Sequence, residues 1–345
     1  MLFKTITSPH ASAFNNVSRV MAEVSLALVP GTLAMCWFFG WGVLVNIVLA
    51  ITVAWLSEAA ILLIRKKPVL DTLKDNSALL SAWLLALALP PLAPWWLTVI
   101  GTVFAIVFAK QLYGGLGYNP FNPAMIGYVV LLISFPLEMT QWLSPRGLAE
   151  TTLSLKQTLQ LQFFNQYPNG GWDALSGATP LDKIKTGLSL KQTVPVVMQQ
   201  PLFNTFAAKG WLWVSLCYLL GGLYLIYRRI ITWHTPVAML VTLFIVAAIF
   251  YLFDQQNHAS PVLHLLSGAA IIGAFFIATD PVSSCTSNKG KIVFGIGIGL
   301  LTYIIRRWGG YPDGVAFAVL FMNLAAPFID HYTKPRVFGQ PLKKT

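Results

Sequence analysis

Ten long apolar runs constrain this chain more than any other feature of its sequence. They lie at roughly 20–39, 42–64, 77–91, 95–112, 123–137, 210–227, 236–253, 262–279, 291–307 and 314–330. A helix needs about 20 predominantly apolar residues, within about 17–25, to cross a bilayer. Inside lipid every backbone N–H and C=O must bond within the protein, so a run of this length reads as a helix. The third and fifth runs are short and flanked by Gly or Pro, the pattern of helices broken around a site. Only 10% of the residues are charged, against about 25% in soluble proteins. That leaves too little polar surface to cover a globule in water. The expectation is an all-α integral membrane protein of about ten transmembrane helices.

The basic residues predict an orientation. With the termini in the cytoplasm, Lys4, Arg19, Arg65, Lys66, Lys67, Lys74, Lys110, Arg228, Arg229, Lys289, Lys291, Lys334, Arg336, Lys343 and Lys344 all lie inside. The opposing short loops hold only Arg306 and Arg307. This asymmetry is the positive-inside pattern. The net charge of +11 is then a topology signal and needs no nucleic acid. Residues 1–19 are polar and the first apolar run is long enough to span, so no cleavable leader is expected. Cys36, Cys217 and Cys285 are far apart and form no CxxC spacing. They predict neither a disulfide framework nor a metal site built by this chain alone. Cys36 and Cys217 read as small buried hydrophobes within their apolar runs.

Two halves of the sequence echo each other. Ser77-Ala78-Leu79-Leu80 leads through an apolar run to Pro90-Pro91, and Ser267-Gly268-Ala269-Ala270 leads to Asp280-Pro281. Each is followed by a glycine pair, Gly114-Gly115 and Gly309-Gly310, and then by a final short run. An odd number of helices per half turns the second copy upside down. Inverted repeats place a site near the membrane midplane at their interface; the plainer reading is a helical scaffold without an internal site. The predicted organisation is a first five-helix repeat over 1–137, an extracytoplasmic loop over 138–209, a second repeat over 210–330 and a cytoplasmic tail over 331–345.

The 138–209 loop is the only sizeable polar region, and within it stands Asp173-Ala174-Leu175-Ser176-Gly177-Ala178-Thr179-Pro180-Leu181-Asp182. By itself Ser176-Gly177-Ala178-Thr179 reads as a turn, its hydroxyls bonding nearby backbone. The same residues suit modification: the Thr179 hydroxyl can accept a phosphoryl ester, and the small neighbours admit close approach. Lys183 and Lys185 are candidates to offset phosphate charge, and Trp172 to stack on a flat ring. Their plainer readings are solvated loop lysines and an interfacial tryptophan.

Asp-x-x-Ser-Gly-Ala-Thr resembles the flavinylation signature of the Rnf and Na⁺-translocating NADH:quinone reductase complexes. Three further stretches are similar to their homologous membrane subunits, RnfD and NqrB: Asp71 to Pro91, Gly114 to Ala124 with its Asn-Pro-Phe-Asn-Pro-Ala core, and Ala278 to Ser283. The short N-terminus resembles RnfD more than NqrB. Asn76 departs from the family pattern, where Gly is expected, although Asn also tolerates turn conformations. The resemblance implies FMN esterified to Thr179 by a separate flavin transferase that reads Asp173, Ser176, Gly177 and Ala178. It implies a fold like that of urea channels and a second flavin, riboflavin, between the helices. It implies a complex of six kinds of subunit in the bacterial inner membrane, with the FMN loop periplasmic. Flavin- and iron–sulfur-bearing partners would move electrons between ferredoxin and NAD and drive Na⁺ or H⁺ translocation.

Ionisable groups within spans are functional candidates. Glu58 is the candidate for an ion path, with Arg65 seven residues on along the same helix face; the plainer reading is a solvated or paired group at the interface. Glu23 reads as a surface group, and His264 as a hydrogen-bonded core histidine. Asn119, Asn122, Thr279 and Asp280 belong to Asn-Pro and Thr-Asp-Pro turns at corresponding places in the two halves. Such pairs cap helices, or contact a second flavin or an ion where helices are broken. No nucleotide fingerprint or catalytic triad spacing is present. The chain is therefore expected to be a subunit and not an independent catalyst. A passive urea-channel-like solute channel, or a cofactor-free anchor of a redox complex, are the rival readings.

Overall fold

The computed structural model describes residues 16–149, 152–166, 171, 175–203 and 207–334. Asp173 and Trp172 of the candidate motif region lie outside the described residues. Helix α1 (Val17–Phe39) is followed by α2 (Gly42–Ile64), the short α3 (Val69–Leu73) and α4 (Ser77–Ala88). Next come α5 (Trp95–Val103), continued by a π-helical segment (Phe104–Gln111), and α6 (Pro123–Ser134). The loop region carries α7 (Pro136–Thr140), α8 (Leu155–Phe164), α9 (Pro180–Ser189) and α10 (Val194–Met198). The second half of the chain forms α11 (Trp211–Tyr227), α12 (His234–Phe253), α13 (Pro261–Leu266), α14 (Ala270–Ile272) with a π segment (Gly273–Ile277), α15 (Asn288–Trp308) and α16 (Val315–Thr333).

By length and composition α1, α2, α12, α15 and α16 can each cross a membrane. Shorter apolar helices occupy Ser77–Ala88, Trp95–Gln111, Pro123–Ser134 and Trp211–Tyr227. Leu26, Leu33, Leu56, Leu63, Leu252 and Phe253 point outward and are well exposed. Helices that are apolar all round are suited to lipid and not to water.

The short members end where the sequence removes backbone donors. Helix α4 stops at Ala88, Leu89 is extended, and Pro90 and Pro91 follow; Pro donates no hydrogen bond and forces its predecessor out of the helix. The run at 262–279, expected as one helix, is broken at Ser267 and Gly268. Gly268 has φ 69°, a conformation that suits glycine. There the N–H of Ala269 donates to Asp313 Oδ2 at 2.7 Å instead of to a helical carbonyl.

Helices from opposite halves of the sequence pack together: α1 lies on α11, and α6 on α16. Small residues allow the approach, as in other membrane bundles. A Cβ on Gly221 would lie 2.1 Å from the Ala27 carbonyl oxygen, and one on Gly31 would lie 2.1 Å from the Tyr218 ring. One hydrophobic cluster therefore runs through both halves, from Leu28 and Leu85 to Phe275 and Val319. Leu181, Ile184 and Val197 of the loop helices join it, so the loop is seated on the bundle.

Candidate functional site

The Ser-Gly-Ala-Thr stretch is pinned to the segment after α7. Ser144 N–H donates to the Leu175 carbonyl at 3.2 Å, and Gly177 N–H donates to the Trp142 carbonyl at 2.9 Å. The Ser144 hydroxyl donates to the Ser176 carbonyl at 3.2 Å. A Cβ at Gly177 would stand 2.3 Å from Ser144 Oγ and 3.0 Å from Ser144 backbone atoms, so a larger residue there would push Ser144 aside. Ser176, Gly177, Ala178 and Thr179 are all partly exposed. Thr179 is the N-cap of α9: its Oγ accepts from Asp182 N–H at 3.3 Å, with Pro180 at the first helical position. Asp182 is itself partly buried, and burial raises its carboxyl above the usual range, against the opposing pull of Lys185 and Lys183. Lys185 is committed elsewhere: its Nζ donates to the carbonyls of Gly309 and Tyr311. Burial lowers that amine below the usual lysine range, with Asp182 opposing.

Thr179 opens onto a cavity between the two halves of the chain. Counted out to its mouth, the cavity encloses about 1190 Å³. Trp142, Trp211, Tyr128, Tyr218 and Tyr311 line it, together with Asp313. The Tyr218 hydroxyl is buried without a hydrogen-bond partner. A buried polar atom left unpaired costs about 1–3 kcal/mol, so this hydroxyl is placed to meet a polar ligand atom. The cavity offers an aromatic, mostly apolar slot with few polar groups, the usual make-up of a cofactor site. A flat aromatic ring attached at Thr179 suits these linings, and its phosphate would sit at the N-terminus of α9, where helix N–H groups favour anions.

Asn119, Asn122, Thr279 and Asp280 line a second cavity, of about 770 Å³ out to its mouth. It borders the first: Leu84 lines both. Asn122 is a cap, its Oδ1 accepting from Met125 N–H at 3.3 Å, and its own N–H donates to Asn323 Oδ1 of α16 at 3.2 Å. Thr279 donates to the Phe275 carbonyl at 2.6 Å, and Asp280 Oδ2 accepts from Ser283 at 2.7 Å. Asn119 Nδ2 donates to the Phe121 carbonyl at 3.0 Å, while its Oδ1 is buried and unpaired.

Glu58 is fully buried in α2. Lys110 Nζ donates to Glu58 Oε1 at 2.5 Å and to Ser77 Oγ at 2.7 Å. Gln111 Nε2 donates to the same Glu58 oxygen at 2.6 Å. Ser77 Oγ in turn donates to Asp75 Oδ1 at 2.5 Å. A hydrogen-bonded file thus runs from partly exposed Asp75 to buried Glu58, whose Oε2 lacks a partner, as does Gln111 Oε1. Arg65, read from the sequence as the neighbour of Glu58 on one helix face, instead donates to the Gln111 carbonyl at 2.7 Å. Lys110, counted among the loop cations, is 1% exposed. Its partner was signalled by its position inside an apolar run, where a lone charge is costly.

A second buried pair was also missed. Arg306 Nε donates to Asp313 Oδ1 at 3.1 Å and its Nη1 to the His264 carbonyl at 2.6 Å. His264 is buried, but its Nδ1 has no partner, contrary to the expected hydrogen-bonded ring. Glu23 is paired, accepting from Tyr224 at 2.6 Å and Arg228 at 2.7 Å. Cys36 and Cys217 are only half-buried, whereas Cys285 is buried; all three are free. Among the described residues no three His, Cys, Asp or Glu side chains are grouped to hold a metal ion.

The sequence matches the model of the NQR2, RnfD, RnfE family over residues 4–339. It is 52% identical to the D-type member of the ion-translocating oxidoreductase complex of Aliivibrio salmonicida, covering 98% of this chain and 99% of that relative. The proteins that bear the same name in Escherichia fergusonii and Citrobacter koseri are each 51% identical, over 98% of this chain and 99% of theirs.

Proposed function

The chain belongs to the NQR2, RnfD, RnfE family, and from that premise we propose that it is the flavin-bearing membrane subunit of an ion-translocating electron-transport complex. FMN is joined through its phosphate to Thr179. The observation that carries this reading is the position of Thr179: a helix N-cap, two residues after a glycine packed tightly on Ser144, lining a cavity walled by Trp142, Trp211 and Tyr218.

Each residue has a physical part. Thr179 Oγ is the ester atom. The N-terminus of α9 stabilises the phosphate charge. Trp142 and Trp211, packed on each other with ring centroids 5.3 Å apart, form one wall beside the ring and exclude water, and Tyr218 supplies a hydroxyl to bond it. Bound there, FMN supplies one- and two-electron redox chemistry, while the protein sets position and potential. Asp173, outside the described residues, completes the stretch that a flavin transferase reads.

The finer architecture belongs to the same proposal. The ten spans form two inverted five-helix repeats, with both termini cytoplasmic and the 138–209 loop periplasmic, in the bacterial inner membrane. Asn119, Asn122, Thr279 and Asp280 contact a second flavin, riboflavin, in the cavity adjoining the first; the unpaired Asn119 Oδ1 favours a ligand there. Glu58 lies on the path of Na⁺ or H⁺, which the unpaired oxygens of Glu58 and Gln111 support. Partner subunits bearing flavin and iron–sulfur centres deliver and accept the electrons, and nicotinamide chemistry lies on one of them.

The test is ultraviolet fluorescence of the denatured chain on a gel, after expression with a flavin transferase. A fluorescent band at the chain's mass that vanishes in Thr179→Ala is expected. A dark band from membrane-inserted wild type would turn the reading toward a solute channel or a cofactor-free anchor.

A further inference from the structure

A third cavity lies beside α9 and borders the aromatic slot, Leu181 and Pro312 lining both. It encloses about 810 Å³ out to its mouth. Its polar lining includes Lys185 and Ser189 from α9, Asn257 and His258 from the turn after α12, His264 from α13, and Tyr303, Arg306 and Arg307 from α15. No carboxylate lines it. The acidic groups around it are engaged elsewhere. Asp313 accepts from Arg306, Ala269 N–H and Val315 N–H, and Asp254 accepts from its own turn at Gln256 and Asn257.

Arg306 and His264 are each more than nine-tenths buried. His264 Nδ1 and Arg307 Nε are buried atoms with no hydrogen-bond partner. Arg307 has no carboxylate partner among the described residues. Burial, reinforced by the charge of Arg307, pushes the His258 imidazole down. Arg307 as a whole is half-buried with its Nε turned inward, so its guanidinium is only partly solvated. The missing partner is an anion, and a guanidinium fork fits a tetrahedral oxyanion particularly well.

We propose that this cavity is a binding site for a phosphate-type anion, held chiefly by Arg307 with Arg306, His264 and Asn257 around it. Arg307 Nε and a terminal Nη supply two parallel donors. His264, in the tautomer with its proton on Nδ1, adds a third. The site is separate from Thr179, because Thr179 does not line it, and it stands whether or not Thr179 carries a flavin. The same chemistry serves a lipid headgroup reaching in from the bilayer or inorganic phosphate from solution. Either would clamp α9 to α15 and so steady the loop that holds Thr179.

The experiment uses the full chain, delipidated in a non-ionic detergent. Inorganic phosphate is titrated at constant ionic strength against a chloride control. In parallel, the chain is reconstituted in phosphatidylcholine nanodiscs with and without phosphatidylglycerol, and retained lipid is counted by native mass spectrometry. Wild type binds one of these probes saturably, and Arg307→Gln weakens that binding by about tenfold or more, the range for a lost charge-assisted bond. Lys289→Gln, an exposed cation at the other end of α15, leaves it unchanged. Arg307-dependent phosphate binding assigns the free anion, and Arg307-dependent retention of phosphatidylglycerol alone assigns the lipid. If Arg307→Gln does not fold, Arg307→Lys, which keeps the charge and loses the fork, gives a smaller drop. Equal binding in wild type and variants, or none in wild type, overturns the proposal. So does a variant that loses only its assembly with partner subunits, which would make the anion an acidic segment of another protein.

Discussion

Two buried ion pairs sit in opposite halves of the chain, and they are built to different standards. Glu58 and Lys110 are 0% and 1% exposed in their side chains, and besides each other they bond two further groups, Ser77 of α4 and Gln111 of the π segment. Arg306 is 1% exposed in its side chain, but Asp313 is 21% exposed, and Arg306 has carbonyl acceptors as well. Each member of the first pair has one neutral partner besides, Ser77 for Lys110 and Gln111 for Glu58, but neither touches water. In the second pair Asp313 keeps contact with water. Desolvation makes this difference consequential: a fully buried charge that loses its partner has nowhere to discharge its field.

Breaking the first pair is therefore the severest test. Lys110→Met strands the Glu58 carboxylate and should cost about 3–5 kcal/mol, the range for removing one member of a buried pair. Unfolding of the full chain in detergent measures it. The double variant Glu58→Gln, Lys110→Met should recover most of that loss. A single-variant loss as small as that at the second pair would remove the distinction. Asp313→Asn comes next, at about 1–3 kcal/mol. Arg306 then keeps the His264 carbonyl, and the Asn oxygen still accepts from Ala269 N–H. A loss above that of Lys110→Met would invert the ranking.

The smallest effect is the pH dependence of the loop. The folded pKa of Asp182 is raised above the ordinary aspartate value of 3.8. A raised carboxyl binds its proton more tightly when folded, so its contribution is fully present below the unfolded pKa. It is lost as pH rises through the raised folded pKa. Protection of the α9 amides, relative to the intrinsic base-catalysed exchange rate, should accordingly fall between these two values as pH rises, and Asp182→Asn should flatten that dependence. Protection that rises with pH instead would show that Lys185 and Lys183, and not burial, govern this carboxyl.

Much of this was legible along the chain itself. The apolar runs at 20–39, 42–64, 236–253, 291–307 and 314–330 lie within or overlap α1, α2, α12, α15 and α16, because lipid solvation demands continuous apolar length. Pro90 and Pro91 marked the end of a short helix through missing donors, whereas the run read over 123–137 passes Pro136, and α6 stops at Ser134. Thr179 was singled out by its small neighbours and the resemblance to a flavinylation signature, and Asn122 by its Asn-Pro cap signature, whose cap the structure contains. The break at Gly268 was not legible, since the N–H it frees is satisfied by Asp313 from a distant turn. Nor was the slot of Trp142, Trp211 and Tyr218, which lie in different elements and meet only when the halves pack.

The sequence alone determined that the chain is built of apolar helices long enough to cross a membrane and where its five longest helices run. These follow from local composition and spacing. Only the tertiary structure decided that Lys110 belongs to Glu58 and not to a loop, that Arg65 does not, and that Thr179 faces an aromatic cavity. Charge pairing and cavity lining are made by residues tens to hundreds of positions apart. In a low-dielectric interior each charge is bound to whichever partner the packing brings within about 3 Å, and no periodicity along the chain encodes that choice.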